Sequence, residues 1–241
     1  HIDEMDLPIK SGLSSSAAIC VLVARAFNEM YELQLNTMGE MNIAFYGEQR
    51  TPSRCGRLDQ ACAFGVMPVN MTFDGNEVFV DKIKVKKPLY WVFSELNGSK
   101  DTVKILSDLN KCYPFAETEI EKNVQKALGI ENEKLIAKAT KAIESGDAKQ
   151  VGSLMVEAQN MFDSMVAPAS PKELAAPQLH KVLNDENIKK YTYGAKGVGS
   201  QGDGSVQFLA KDEQSQAELI KYIKDEYNMD GFTLTLKPEK K

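Results

Sequence analysis

The sequence predicts an α+β protein built from two domains, and three observations carry that reading. Short alternating or aromatic stretches are interspersed with longer stretches of helical periodicity, the pattern of layered α+β folds. The C-terminal part runs strand, glycine-rich loop, strand, helix, strand, which are the ingredients of a split β-α-β unit. A length of 241 residues accommodates one large or two ordinary domains, and Lys86-Lys87-Pro88 marks the break between segments 1–86 and 87–241.

Taken in order, Ala17 to Tyr31 carries apolar residues nearly all round: Ala18, Ile19, Val21, Leu22, Val23, Ala26, Phe27 and Met30. Such a pattern predicts a helix buried on most sides. A second helix is expected over Thr37–Gln49, ended by Thr51-Pro52-Ser53, with a short apolar segment from Leu58 to Phe64. Val69–Phe73 and Val78–Val85 alternate around Asp74-Gly75-Asn76 and read as a β-hairpin. Leu89–Leu96, aromatic and β-branched, is the first strand of the second domain. Helical patterns follow over 101–112, 116–128, 132–145, 147–165 and 172–185. A strand at Tyr191–Gly194, a strand at Ser205–Ala210, a helix at Glu213–Tyr227 and a strand at Phe232–Leu236 close the chain.

Composition narrows the classes. Hydrophobic content of 43% and charged content of 26% are those of a globular protein. A net charge of −5 argues against a general nucleic-acid or anionic-membrane surface, and Lys82, Lys84, Lys86 and Lys87 read as a solvated face. The longest apolar run, Ala17–Ala26, is interrupted by Arg25 and too short to span a bilayer. The four cysteines, Cys20, Cys55, Cys62 and Cys112, form no CxxC pair, and the two histidines give them no partners, so zinc is not expected. Reduced thiols and the lack of a signal-peptide pattern predict a cytoplasmic protein. Nothing in the sequence sets an oligomeric state.

The most informative stretch is Pro8-Ile9-Lys10-Ser11-Gly12-Leu13-Ser14-Ser15-Ser16-Ala17-Ala18, a glycine turn and three hydroxyls running into the first helix. The first N–H groups of a helix lack intrahelical partners and the dipole adds positive charge, so such a start suits phosphate. Gly12 lets backbone approach a ligand, and the serines add donors and a potential Mg2+ ligand. A serine N-cap alone would need only one of the three. The stretch resembles the second signature of the GHMP kinases (galactokinase, homoserine kinase, mevalonate kinase, phosphomevalonate kinase). Pro8, Gly12, Leu13, Ser14, Ser15, Ser16 and Ala17 meet every fixed position of that pattern.

Two carboxylates stand out for phosphoryl transfer, which needs oxygen ligands for Mg2+ and usually a carboxylate near the attacking hydroxyl: Glu48 and Asp59. Cys55-Gly56-Arg57-Leu58-Asp59-Gln60 resembles the Cys-Gly-x-x-Asp-Gln segment of galactokinases and, more loosely, the Gly-x-x-Asp-Asn of mevalonate kinases. The resemblance implies Asp59 as catalytic base or hydroxyl-orienting residue, Ser16 and Glu48 as Mg2+ ligands, and Ser14 and Ser15 as phosphate contacts. Gly12 and Leu13 would complete the nucleotide loop.

Gly197-Val198-Gly199-Ser200-Gln201-Gly202-Asp203-Gly204 contains a literal G-x-G-x-x-G, yet the alternating Ser205–Leu209 that follows excludes the helix a dinucleotide fingerprint requires. The loop is similar to the third GHMP signature, which implies nucleotide contacts for Gly197, Gly199 and Gly202. Asp203 replaces a glycine usual there and puts an acid near the expected phosphates. Ser99-Lys100-Asp101-Thr102 falls where the family has a loop at the active-site rim, and helix capping by Ser99 or Asp101 explains it equally.

The resemblance implies the remainder of an N-terminal β/α domain of the ribosomal S5 domain 2-like type, joined to a ferredoxin-like α+β domain. It implies ATP and Mg2+ as cofactors and a small-molecule partner, a sugar or related alcohol. The Cys-Gly-x-x-Asp-Gln block favours a galactokinase-like sugar 1-kinase over a mevalonate-type alcohol kinase. A non-catalytic GHMP-like binding or regulatory protein is the rival from another class. Because the chain opens at His1 with the second signature beginning at residue 8, the resemblance also implies a longer parent carrying a first signature and its basic residue. The 241-residue form is then expected to be a poor enzyme.

Overall fold

The computed structural model describes residues 14–51 and 56–238. The chain divides into two compact units, His1–Ile83 and Lys84–Lys241.

In the first unit, helix α1 (Ser15–Met30) packs on helix α2 (Thr37–Glu48) and on a 3-10 turn, Asp59–Phe64. The Asn36 side chain starts α2 by accepting from Gly39 N at 2.9 Å, meeting one of the orphan donors of a helix start. Strands β1 (Val69–Asp74) and β2 (Glu77–Lys82) form the expected hairpin around the two-residue turn Gly75-Asn76. The core here is small: Val21, Ala24, Met41, Ala44 and Ala63. The expectation that α1 is buried on most sides needs correcting. Only Ala17, Val21 and Ala24 are buried, while Leu22, Val23, Phe27 and Met30 are exposed, Met30 at 71%. Among the described residues α2 and the 3-10 turn cover one stripe of the helix and leave its outer face to solvent.

The second unit is organised by a four-stranded antiparallel sheet in the order β4-β5-β3-β6, from β3 (Leu89–Glu95), β4 (Thr192–Gly197), β5 (Ser205–Ala210) and β6 (Gly231–Leu236). The order of strands and helices is the ferredoxin-like β-α-β-β-α-β plan, with a long helical insertion between β3 and β4. Helix α3 (Thr102–Asn110) begins the insertion and α4 (Glu119–Lys126) follows. A π turn at Ala127–Glu131 joins α4 to α5 (Asn132–Ser145), with the backbone leaving helical values at Gly129. Next come α6 (Ala148–Met161), a second π turn (Phe162–Val166), α7 (Pro177–Leu183) and α8 (Glu186–Tyr191). Helix α9 (Glu213–Tyr227) connects β5 to β6.

Alternation along the strands serves both faces. Leu89, Trp91 and Leu209 pack with Leu135, Val151 and Leu154 of α5 and α6, while Val92, Val206 and Phe208 pack with Leu179, Ile188, Leu219 and Ile223 of α7, α8 and α9. Helix α6 meets β4 so closely that a Cβ at Gly194 would lie 2.1 Å from the Gly152 carbonyl oxygen, so side chains are excluded there. The helix expected over 172–185 is confined to Pro177–Leu183, since Pro177 fits a first helical turn and not its interior. The strand expected at Tyr191–Gly194 begins at Thr192 and extends to Gly197. Ahead of it Asp185 nucleates the short α8 by accepting from Asn187 N at 2.7 Å, a local cap that outweighed the strand pattern.

The two units differ in how much apolar surface they remove from water, and protection from exchange follows burial. Amide exchange of the intact chain, read by mass spectrometry, is expected to be ~10-fold or more faster in α1 and α2 than in β3, β5 and α9. Equal protection across both units would contradict this reading of the cores.

Candidate active site

The start of α1 is not a simple capped helix. Ser14 sits in the left-handed region (φ 57, ψ 34) and its side chain does not cap the helix. Its hydroxyl instead donates to Asp59 Oδ1 in the 3-10 turn. Two residues on, Ser16 Oγ donates to Glu48 Oε1 at 2.6 Å. Gln60 Nε2 takes the other oxygen, Glu48 Oε2, at 2.5 Å. Glu48 and Gln60 are fully shielded, and Asp59 is half-buried. Three separate stretches of sequence thus place two carboxylates against two hydroxyls beside the helix start.

The local reasons are visible. Glu48 ends α2, and its carbonyl accepts Thr51 N (2.9 Å) and Thr51 Oγ1 (2.8 Å), turning the chain away. On the opposite side Arg25 of α1 bonds Glu40 of α2 (2.8 and 2.9 Å) and the Ala63 carbonyl (2.8 Å), pinning the 3-10 turn. Asn28 completes this brace by donating to Glu40 Oε1 at 2.9 Å. Burial alone would push the Glu40 carboxyl up, but hydrogen bonds from Arg25 and Asn28 and the guanidinium charge hold it below the usual range. Arg57 lies 4.9 Å over the Phe45 ring and donates to the Asn76 carbonyl, so it is spent on packing.

The atoms that a cation could use beside Glu48 are oxygens, its own carboxylate and the Ser16 hydroxyl, while Gln60 turns its amide nitrogen to Glu48 Oε2. Gln60 Oε1 is buried without a hydrogen-bond partner, an acceptor left for a group that the protein does not supply. Among the described residues no Lys or Arg pairs with Glu48, and no cluster of three or more His, Cys, Asp or Glu occurs. Few carboxylates with hydroxyl and amide oxygens fit Mg2+, which takes the rest of its shell from water and phosphate. Gln60 is the residue that sequence reasoning did not select. Its position directly after Asp59 was the available signal.

Gly12 and Leu13 lie outside the described residues, as do Arg54 and Cys55. Gly197, Gly199 and Gly202 fall in the second unit, at the end of β4 and in its turn into β5. Gly197 packs inward: its N–H donates to Gln159 Oε1 at 2.8 Å, and a Cβ there would meet Gln201 Oε1 at 2.8 Å. Gly199 and Gly202 take positive φ (59 and 69), and space around Gly199 is open. Asp203 turns its carboxylate to Leu179 N in α7, at 2.9 Å, so its charge is engaged by that helix and not by the face of the loop. The G-x-G-x-x-G runs into strand β5, as required to exclude a dinucleotide fold. Asp101 starts α3 by accepting from Lys104 N at 2.9 Å.

Known proteins resemble this chain in sequence and in fold. Residues 1–66 match the family described as the GHMP kinases N terminal domain. A mevalonate kinase of Archaeoglobus fulgidus is 23% identical over 221 residues, covering 90% of this chain and 67% of that protein. A galactokinase of Thermotoga petrophila is 26% identical over 255 residues, covering 93% and 70%. The crystal structure of L. major mevalonate kinase in complex with R-mevalonate superposes with a TM-score of 0.71 at 18% identity, covering 95% of this chain and 67% of that one. The chain thus spans about two thirds of the length of such proteins, and its mixed helix-and-sheet architecture is theirs.

The Arg25–Glu40 brace yields a stability prediction. Because the folded carboxyl is held below its unfolded value, its contribution is complete above the ordinary glutamate range and is lost as pH falls through the folded value. Arg25→Ala strands a buried carboxylate and is expected to destabilise the first unit by roughly 1–3 kcal/mol, discounted for the partly exposed guanidinium. Urea unfolding followed at α1 checks this, and an unchanged midpoint at neutral pH would contradict it.

Proposed function

We propose that the chain is a kinase of the GHMP type and transfers the γ-phosphoryl group of ATP to a hydroxyl of a small molecule, a sugar in the first instance. The observation that carries the reading is the pairing of Ser14 with Asp59 and Ser16 with Glu48 at the N-terminus of α1. A helix cap needs one hydroxyl and no carboxylate, whereas phosphoryl transfer uses both.

In this reading the first N–H groups of α1, unsatisfied within the helix, receive phosphate oxygens, with Gly12 to Ser15 forming the approach. Ser16 Oγ and Glu48 would hold Mg2+, with Gln60 fixing the Glu48 carboxylate by its amide. Bound there, Mg2+ would neutralise charge on the β- and γ-phosphates and align them. Asp59, fixed by the Ser14 hydroxyl, orients the acceptor alcohol and takes its proton. The acceptor oxygen then bonds to the γ-phosphorus as the bond to the β,γ-bridging oxygen breaks, and ADP leaves. Of the three glycines expected to contact nucleotide, Gly199 and Gly202 keep that assignment on the second unit, whereas the Gly197 N–H is taken by Gln159. The Cys55-Gly56-x-x-Asp59-Gln60 block and the Thermotoga relative favour a sugar 1-kinase. The Archaeoglobus relative favours a mevalonate-type alcohol kinase as the second reading. A cytoplasmic setting accords with this chemistry, and among the described residues no helix is long and apolar enough to cross a membrane.

In the full-length protein Asp59→Asn is expected to keep nucleotide affinity and to lower kcat by ~10²–10⁴, the usual cost of removing a positioned base. Near-normal kcat would remove Asp59 from the mechanism. Ser16→Ala is expected to raise the Mg2+ concentration needed for half-maximal ATP binding in calorimetry. An identical Mg2+ dependence in the two proteins would count against the ligand assignment.

A further inference from the structure

The face of the sheet that packs on α5 and α6 leaves a cavity with a single charged side chain in its lining. Lys196 of β4 stands directly opposite Gln207 of β5, so both project to the same face of the sheet. Beside them Trp91, Leu135, Ala139 and Leu154 enclose a space of about 270 Å³. No Asp, Glu, Arg or His lines it. Ile136, which also lines it, is 44% exposed, so the cavity opens to solvent along α5.

The polar pair on this floor is left incomplete. Lys196 Nζ donates to the Gly197 carbonyl at 2.8 Å, a neutral partner that uses one of its protons, and among the described residues no carboxylate pairs with it. The Gln207 amide makes no side-chain hydrogen bond among the described residues. The charges of the elements around them are turned elsewhere. Glu157 of α6 pairs with Lys138 of α5 at 3.5 Å, Lys134 of α5 with Glu131 at 3.0 Å, and Asp163 accepts from Gln159 of α6 at 2.8 Å. Glu95 of β3 shares this face of the sheet but stands opposite Ser205, two residues beyond Gln207. His180, Lys181, Glu186, Lys189 and Lys190 belong to α7 and α8, which pack on the other face. Burial pushes the Lys196 ammonium down to about 8, with no neighbouring charge opposing the shift. A shielded cation without a counter-charge is costly, and an anion at the same place relieves that cost. Apolar walls with a few convergent polar groups are the ordinary form of a small-molecule site.

We propose that this cavity binds a small apolar carboxylate, its body between α5 and α6 and its carboxylate on Lys196 and the Gln207 amide. One oxygen accepts from the ammonium and the other from the amide, so both polar groups of the floor gain the partner that the protein does not give them. The walls set the class of ligand. An aliphatic acid of modest length matches them, whereas a sugar or a phosphate would set polar groups against Leu135, Leu154 and Trp91. The site is independent of the kinase reading.

Trp91 lines the cavity and is the one tryptophan of the chain, so its fluorescence reports occupancy. Octanoate titrated into the intact chain is expected to shift the Trp91 signal to saturation, and a terminally brominated octanoate to quench it. Octanol is expected to bind about tenfold more weakly, as for a lost charge-assisted hydrogen bond. Affinity for octanoate is expected to fall as pH rises past about 8, where Lys196 gives up its charge, while affinity for octanol stays level. Lys196→Met is expected to weaken octanoate about tenfold and to leave octanol unchanged. The pH profile is read on the unaltered chain, so it stands even where Lys196→Met does not fold. No response of Trp91 to octanoate, equal affinity for octanoate and octanol, a level pH profile, or unchanged octanoate binding in Lys196→Met would each overturn the carboxylate site, whatever the kinase activity.

Discussion

The first unit depends on one constraint, the burial of the Glu48 carboxylate. A charge removed from water is tolerated only when its oxygens are satisfied, and Glu48 meets this with Ser16 and Gln60. Satisfying it forces the start of α1, the end of α2 and the 3-10 turn to one place. The same meeting brings Ser14 to Asp59. A core made largely of alanine and a few larger residues would hold these segments weakly. The polar contacts, with Arg25 and Glu40 bracing the far side, set the geometry instead. Gln60 Oε1 is the one polar atom of this meeting point that is buried without a hydrogen-bond partner among the described residues.

The second unit works by different means. Its sheet is filled on both faces, and the helical insertion adds a further apolar cluster around Ile105, Val124, Val166 and Leu174. Polar ties are used at element ends. Asp185 accepts both Tyr222 and Tyr227 hydroxyls at 2.7 Å, locking α9 against α8 and holding its own carboxyl below the usual range despite the opposing effect of burial. On this rigid base the β4–β5 loop takes the conformations that only its glycines make easy.

Legibility in the sequence followed the range of the forces involved. The helices at Ser15–Met30, Thr37–Glu48 and Glu213–Tyr227, the Asp74-Gly75-Asn76 hairpin and the strand-loop-strand-helix-strand ending were all readable, because periodicity and turn chemistry act within a few residues. The short α8 was missed because its cap is one side chain in a charged stretch. The exposed face of α1 could not be read, since composition reports how apolar a helix is and not what covers it. Asp203 looked like an acid facing phosphate, yet its partner is Leu179, 24 residues earlier in the chain. Glu48 and Asp59 were selected on the strength of a family pattern, and their contacts with Ser16 and Ser14 emerge only from the fold.

The central claim is that the start of α1, Glu48 and Asp59 form a single metal–nucleotide site. Paramagnetic broadening tests it most directly: Mn2+ is titrated into isotope-labelled protein with and without ATP, and amide signals are followed. The account predicts that residues around Ser14–Ala18, Gly47–Gln49 and Asp59–Cys62 broaden first, at substoichiometric Mn2+, and only when ATP is present. Broadening confined to exposed surface carboxylates, or identical with and without ATP, would contradict it.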